Sequence, residues 1–258
     1  MKLFKDIYAY REMIANLVRK DLRGRYKGSV FGFLWTFINP LLQVLVYSFV
    51  FSIVMRFGLD KYYLYLFVGQ VPWIFFSTCI TSGAGIINTE KNLVVKIHFP
   101  REVIPIYFVT SSFINMIFCF VIVFFISIFS GVSFNLIAYL CLPVIMAVLY
   151  IFALGMCLIL SAFTVYFRDL QHIMGIFVTA WYFLTPIIYP ITSVPDNYMR
   201  YFMLNPMTHI IIAFRDVLYY GKVPELSTLL SAFIIGIVIL VTGFFVFGKL
   251  KRRFAEVL

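Results

Sequence analysis

The sequence predicts an all-α membrane protein, with six transmembrane helices, an amino-terminal amphipathic helix in the membrane interface and two short re-entrant half-helices on the outer side. Three observations predict it. The 258-residue chain is 63% hydrophobic and only 12% charged, against roughly a quarter charged in a soluble domain. Its apolar residues fall in six blocks, at about 29–55, 64–87, 103–130, 135–165, 172–190 and 227–248; each is near the roughly 20 residues that cross about 30 Å of hydrocarbon. No block contains an Asp, Glu, Lys or Arg; all 21 basic and 11 acidic residues lie outside them. A soluble helix reserves one face for water. These reserve none, so lipid or protein surrounds them.

Residues 1–28 read as a cytoplasmic interface segment and 29–258 as the six-helix domain. In the first, Leu3, Ile7, Tyr10, Ile14 and Leu17 recur every three or four residues, with Lys5, Arg11, Arg19 and Lys20 largely elsewhere. Such a helix lies in the plane of the interface. It is too charged for a secretory signal. Arg19, Lys20, Arg23, Arg25 and Lys27 follow before the first span; they either anchor it to the cytoplasmic face or hold an anionic headgroup. Gly24, Gly28 and Gly32 recur at fours, a spacing that lets helices approach closely or simply leaves the chain flexible.

The segment 88–102 is short and mixed. Thr89 is placed to cap a helix beginning at Glu90, and Pro100 keeps it from running into the next span. Leu93, Val94, Ile97 and Phe99 have no core to join, and exposed apolar residues rimmed by charge mark a binding surface. From the end of the fifth block onward, Pro186, Pro190, Pro195 and Pro206 break the chain. Residues around 197–204 and 207–220 are too short to cross and are expected as re-entrant pieces, tolerated where protein satisfies their backbone.

With the amino terminus inside, sixteen Lys and Arg fall on the cytoplasmic side and five outside, so both termini are expected in the cytoplasm. The net charge of +10 is thereby read as orientation, not nucleic-acid binding. Cys79, Cys119, Cys141 and Cys157 lie inside blocks and read as small apolar residues. His98, His172 and His209 show no metal-ligand spacing. Gly243 to Leu250 matches a phosphate-binding loop except that Leu250 replaces the Ser or Thr that holds magnesium, and no strand precedes it. No catalytic, metal or cofactor residue is expected.

Proton- or sodium-coupled transporters place ionisable residues within the bilayer; these blocks hold none beyond His172 at an edge. Uphill transport would take its energy from another subunit. Tyr62, Tyr63, Trp73, Tyr189 and Tyr198 fit interfacial belts. Trp35, Tyr47, Trp181, Tyr182 and Phe183 suit either a sugar pathway, since C–H faces pack on aromatic rings, or lipid-facing packing.

The stretch from Leu17 through Trp35, followed by Asn39-Pro40, resembles the amino-terminal segment of ABC-2 type permeases that export polysaccharides. Lys91 to Arg101, Phe167-Arg168-Asp169, and Asn205-Pro206 through Phe214-Arg215 match the same family in order, across essentially the whole chain. The resemblance implies a homodimeric permease of the cytoplasmic (inner) membrane that binds two copies of a separate ATPase and moves a lipid-linked glycan, O antigen foremost. ATP and magnesium would belong to the ATPase. Coupling is then expected at Glu90, Lys91, Leu93, Lys96, His98, Phe99, Pro100, Arg101, Arg168 and Asp169. A pathway is expected at the five aromatics above, headgroup capture at the basic cluster, and an outer gate at Asn205, Pro206 and Arg215. A drug or lipo-oligosaccharide exporter would share these features. A membrane enzyme of polyprenyl-phosphate metabolism would need clustered acids for its metal, and a passive channel would need no ATPase.

Overall fold

The computed structural model describes residues 7–25, 28–54, 56, 58–132 and 135–257, and every regular element among them is helical. Helix α1 (Arg11–Gly24) turns Tyr10, Met13, Ile14, Leu17, Val18 and Leu22 inward, with Leu17 and Val18 buried. The expected stripe holds at Tyr10, Ile14 and Leu17; Leu3 lies outside the described residues. The stripe packs on α5 (Val103–Phe129).

A 3-10 turn, Gly32–Leu34, leads into α2 (Trp35–Ser48), which continues as a π-helical stretch, Phe49–Val54. Pro40 sits inside α2 and cannot donate to the carbonyl four residues back. Cys119 Sγ takes that Thr36 carbonyl instead, at 3.3 Å. Gly28 and Gly32 have φ of +84° and +47°, and neither they nor Gly24 has a neighbour within 4 Å of a would-be Cβ. Gly28 and Gly32 shape the turn into α2, and among the described residues none of the three lies against a neighbouring helix.

After α3 (Tyr62–Ala84) and the helical turn Ile86–Thr89 come α4 (Lys91–Lys96) and α5. A short turn, Leu136–Leu140, precedes α6 (Leu142–Tyr166), followed by α7 (Leu170–Phe183), α8 (Asp196–Leu204), α9 (Pro206–Leu218) and α10 (Leu226–Leu250). The chain closes on a 3-10 turn, Lys251–Arg253, and a last helical turn, Phe254–Val257.

Five helical stretches are long and apolar enough to cross a membrane: Gly32–Val54, Tyr62–Ala84, Val103–Phe129, Leu136–Tyr166 and Leu226–Arg253. They match five of the six expected blocks within a few residues. The block expected at 172–190 is different. Its helix α7 has 14 residues, about 21 Å of rise, and stops at Phe183. Pro186 and Pro190 cannot extend a helical hydrogen-bond ladder, and 184–190 leaves it. Two short helices follow near the expected 197–204 and 207–220.

Helix α3 lies at the centre, packed on α2, α5, α6, α7 and α9. Tyr65, Phe67, Phe76 and Ile80 are among its fully buried side chains. Tyr62 and Trp73, expected in a surface belt, are buried too, because this helix has no lipid-facing side large enough to display them. Close backbone approach occurs at α6 and α10. A Cβ on Gly155 would fall 2.6 Å from Leu240 N, and one on Gly243 2.6 Å from Gly155 O. Lipid tails are as apolar as leucine, so such close packing replaces hydrophobic drive. Gly243, the first glycine of the phosphate-loop lookalike, is a packing residue of a continuous helix.

Candidate functional site

A cleft of about 490 Å³ opens between α2, α3 and α7. From α3 it takes Gln70, Trp73, Ile74, Ser77 and Thr81, residues spaced three or four apart and therefore on one helical face. Gln43 and Tyr47 face them from α2; Gly175, Val178, Thr179, Tyr182 and Phe183 come from α7. Tyr182 Oη donates to Gln70 Oε1 at 2.8 Å, and Gln70 Nε2 donates to Gln43 Oε1 at 3.0 Å. One amide thus ties all three walls together. The lining offers amides, hydroxyls and aromatic faces, with no acidic or basic side chain among them. Those groups hydrogen-bond and stack on a polyhydroxylated chain.

The expected pathway aromatics divide. Tyr47, Tyr182 and Phe183 share this cleft. Trp181 turns the other way, packing on Trp73, Phe76 and Phe152, with its indole N–H donated to Asn205 Oδ1 at 3.1 Å. Trp35 stands at the start of α2, bonded to Ser29 Oγ at 2.8 Å, a full 12 residues before Tyr47. Neither lines the cleft.

The break after α7 is held carbonyl by carbonyl. Arg215 donates Nη1 to Pro186 O and Nη2 to Ile187 O, each at 2.5 Å. Tyr62 Oη donates to Ile188 O at 2.8 Å and Tyr65 Oη to Tyr189 O at 3.2 Å. Four consecutive carbonyls, 186–189, are thereby satisfied, as irregular backbone away from water requires. The guanidinium is 3% exposed and lies 3.5 Å above the Tyr65 ring. Asn205 caps α9 through Met207 N at 3.0 Å and donates to Thr185 Oγ1 at 2.9 Å. The three residues expected as an outer gate therefore converge on one turn: Asn205 and Arg215 clamp 184–187, and Pro206 occupies the first turn of α9. Burial raises the nearby Asp216 carboxyl above its ordinary range, against the opposing charge of Lys222.

At the other end, α1 is fixed to α5. Ser111 Oγ donates to Asp21 Oδ2 at 2.5 Å; Arg25 pairs with that carboxylate at 2.8 Å and donates to Ser112 Oγ at 2.9 Å. Tyr107 Oη donates to Glu90 at 2.8 Å, and Lys20 Nζ lies 3.8 Å from the same oxygen. Of the expected headgroup cluster, Arg19, Lys20 and Arg23 are exposed and Arg25 is half-buried and engaged; Lys27 lies outside the described residues.

The segment after Glu90 departs from expectation. Thr89 does not cap it; its hydroxyl donates back to Gly85 O at 3.2 Å. Phe99 is 8% exposed, Val94 is buried and Leu93 half-buried, whereas Val95 and Ile97 are 53% and 50% exposed. The reason is the carboxyl terminus, which folds beneath the segment. Arg101 donates to Lys251 O, Lys251 Nζ pairs with buried Glu102 at 2.5 Å, and Tyr166 Oη donates to Leu250 O at 2.9 Å. A cleft of about 430 Å³ results, lined by residues 94–101 together with Lys251 and Arg252. Lys91, Lys96, His98, Arg168 and Asp169 are exposed. Arg168 and Asp169 stand apart from that cleft, in the turn between α6 and α7.

Sequence reasoning missed Gln43, Gln70, Tyr62 and Tyr65 as network members, and Lys251 and Arg252 as neighbours of 94–101. A signal existed for the amides: Gln43 and Gln70 are the two glutamines of the first two apolar blocks, and a polar group there needs a partner. None existed for the carboxyl-terminal turn. Among the described residues no three His, Cys, Asp or Glu gather to hold a metal ion.

The chain is similar to two proteins described as O-antigen export system permease protein RfbA. The one from Myxococcus xanthus is 33% identical over 99% of both chains, and one from Klebsiella pneumoniae is 31% identical over 96% of this chain and 95% of the other. The polysialic acid transport protein KpsM of Escherichia coli is 23% identical over 81% of this chain and 82% of its own. Residues 13–219 match the ABC-2 type transporter family, and the chain, a multi-pass membrane protein, belongs to that family.

Proposed function

We propose that this chain is the permease subunit of an ATP-driven exporter that carries a lipid-linked polysaccharide, O antigen foremost, across the cytoplasmic membrane. The observation that carries the reading is the cleft between α2, α3 and α7. Its amides, hydroxyls and rings suit a sugar chain, and it lacks the fixed charge that ion-coupled transport uses. The near full-length similarity to polysaccharide export permeases supports the same reading. ATP and magnesium belong to a separate ATPase subunit, present in two copies.

In this reading the chain crosses six times, with both termini cytoplasmic. The fifth crossing is α7 completed by 184–190, and α8 and α9 are the re-entrant outer pieces; α9 buries Met207, Ile210, Ile211, Phe214 and Val217 completely. Two copies meet along the side of the molecule where the cleft opens, and the glycan passes along that seam, by Tyr47, Tyr182 and Phe183. Asn205, Pro206 and Arg215 fix the outer turn against which the seam opens. Arg19, Lys20 and Arg23 attract the substrate's phosphates. Segment 90–101 and the 168–169 turn receive the motion of the ATPase.

The test is export in a strain lacking the gene. Lipid-linked glycan is expected to accumulate inside and surface glycan to disappear, with both restored by the wild-type chain. Normal surface glycan without the gene would overturn the assignment. Topology has its own check: Asp60→Cys and Asp196→Cys should react with an impermeant thiol reagent from outside and Asn92→Cys should not, and reversed labelling would invert the crossings.

A further inference from the structure

The carboxyl-terminal turn Lys251–Arg253 belongs to no expected site, yet it is built into the segment read as the ATPase contact. Three hydrogen-bonded tethers place it there: Arg101 to Lys251 O, Lys251 to Glu102, and Tyr166 to Leu250 O. Phe254, fully buried, locks the fold-back against Tyr166 and Phe247. The cleft so formed has a composition of its own. Val95 and Ile97 supply exposed apolar surface. Lys96, His98, Arg101, Lys251 and Arg252 supply donors or positive charge. Among the described residues no acidic side chain lines it; the adjacent Glu102 is buried and already paired with Lys251.

We propose that the docking surface for the ATPase is bipartite, made by residues 95–98 and by the carboxyl-terminal turn at Arg252, and that it receives a segment of the ATPase bearing an apolar side chain flanked by carboxylates. This rests on the reading that 90–101 contacts the ATPase. Charge complementarity argues for the acidic partner: a cleft walled on both sides by cations repels a basic intruder and rewards a carboxylate over a neutral group, most of all where the site is drained of water. The apolar pair argues for protein in the cleft, because a phosphate headgroup alone leaves Val95 and Ile97 in water. Arg252 is exposed and, among the described residues, enters no ion pair or hydrogen bond, so its charge is open to a partner. The two parts also differ in what they provide. Val95 and Ile97 give contact area; Arg252 gives orientation and capture from solution.

The experiment is co-purification of the ATPase with the full-length permease, alongside a glycan export assay, using Arg252→Glu, Arg252→Lys and Val95→Asp. Membrane abundance and elution volume check that each variant is inserted and folded. Arg252→Glu is expected to lower recovered ATPase at least five-fold and export with it, Arg252→Lys to keep both near wild type, and 0.5 M salt to mimic the reversal in the wild-type protein. If Val95→Asp strips the ATPase while Arg252→Glu keeps it, segment 90–101 remains the contact and the bipartite surface is wrong. If both variants keep it, the contact lies elsewhere and both readings fall. If Arg252→Glu keeps the ATPase but abolishes stimulation of its turnover by phosphatidylglycerol vesicles, the cleft serves an anionic lipid and the proposal is overturned.

Discussion

Helices α2 and α3 make an instructive pair. Each anchors a stretch of 23 residues, and the 18-residue apolar core of the α2 stretch is the more apolar, with a mean hydropathy of 1.9 against 1.4. Burial runs the opposite way: 78% of the 18-residue apolar core of the α3 stretch is buried and 11% of that of the α2 stretch. In water, greater hydropathy would send a helix inward. In a bilayer the solvent is itself apolar, so hydropathy decides whether a helix inserts and not where it sits. Position is set by groups that lipid cannot satisfy. Helix α3 carries Tyr62, Tyr65 and Gln70, each hydrogen-bonded across a helix boundary, and Gly69 and Gly83, against which Arg215 and Cys157 pack. Helix α2 offers fewer such ties: Gln43, and Thr36, whose hydroxyl donates to Asn115 Oδ1 of α5 at 3.2 Å.

The largest expected effect comes from the buried side of that pair. Phe76 is fully enclosed and stacks on Phe152 with ring centroids 5.0 Å apart. Phe76→Ala should destabilise the chain by on the order of 3 kcal/mol, since the cavity cost survives in lipid even where the transfer gain is small. Thermal unfolding in lipid nanodiscs reads this directly, and an unchanged midpoint would remove α3 from the centre of the fold.

Arg215→Met comes next. It strips the partners from two buried carbonyls, each worth roughly 1–3 kcal/mol unpaired, while also removing a buried charge, for a net loss of about 2 kcal/mol. Arg215→Lys should not restore it, because one ammonium cannot stack on Tyr65 and serve two carbonyls in a plane. Full rescue by lysine would mean that charge alone, without the fork, holds the outer turn.

Gln70→Leu is milder for stability, about 1 kcal/mol, but it unties α2 and α7 from α3 at once. Export is expected to fall while membrane abundance stays near wild type. Equal loss of both would show that the amide is a scaffold element and not part of the pathway.

Five of six helical blocks, the amphipathic stripe of α1 and the two short outer helices were legible, because charge-free runs and period-3.6 patterns are local properties of the chain. The misreadings share a cause. Phe99 and Val94 looked unhoused because the turn at Lys251, which shares their cleft, is about 150 residues away in sequence. Tyr62 looked interfacial because an aromatic near a block's edge has the same local pattern whether it meets headgroups or another helix, and Trp73, well inside its block, has an indole as suited to a helix interface as to a headgroup belt. The motif Asn205-Pro206 was legible as special, but its targets, Thr185 and Trp181, were not. Length misled only at α7, whose helix ends at Phe183, short of the Pro186 and Pro190 that the expected block encloses.

The smallest expected effect tests the other half of the comparison. Leu45 lies on the outward face of α2, 64% exposed, lining an apolar groove of about 740 Å³ with Leu41, Leu42 and Phe49. In the isolated chain its side chain exchanges leucine-like contacts for lipid contacts of nearly equal strength. Leu45→Ala should therefore shift unfolding by less than about 0.5 kcal/mol, the scale of surface substitutions generally. The measurement is the same nanodisc melt, run first on the chain alone and then on the chain assembled with its ATPase. A null result in both places the groove against lipid and leaves the 78% to 11% contrast as a property of the working transporter. A null result for the chain alone, with a loss approaching that of Phe76→Ala in the assembly, would show that a second copy covers α2. The contrast would then belong to the single chain, and α2 would owe its place to assembly, not to the fold around α3.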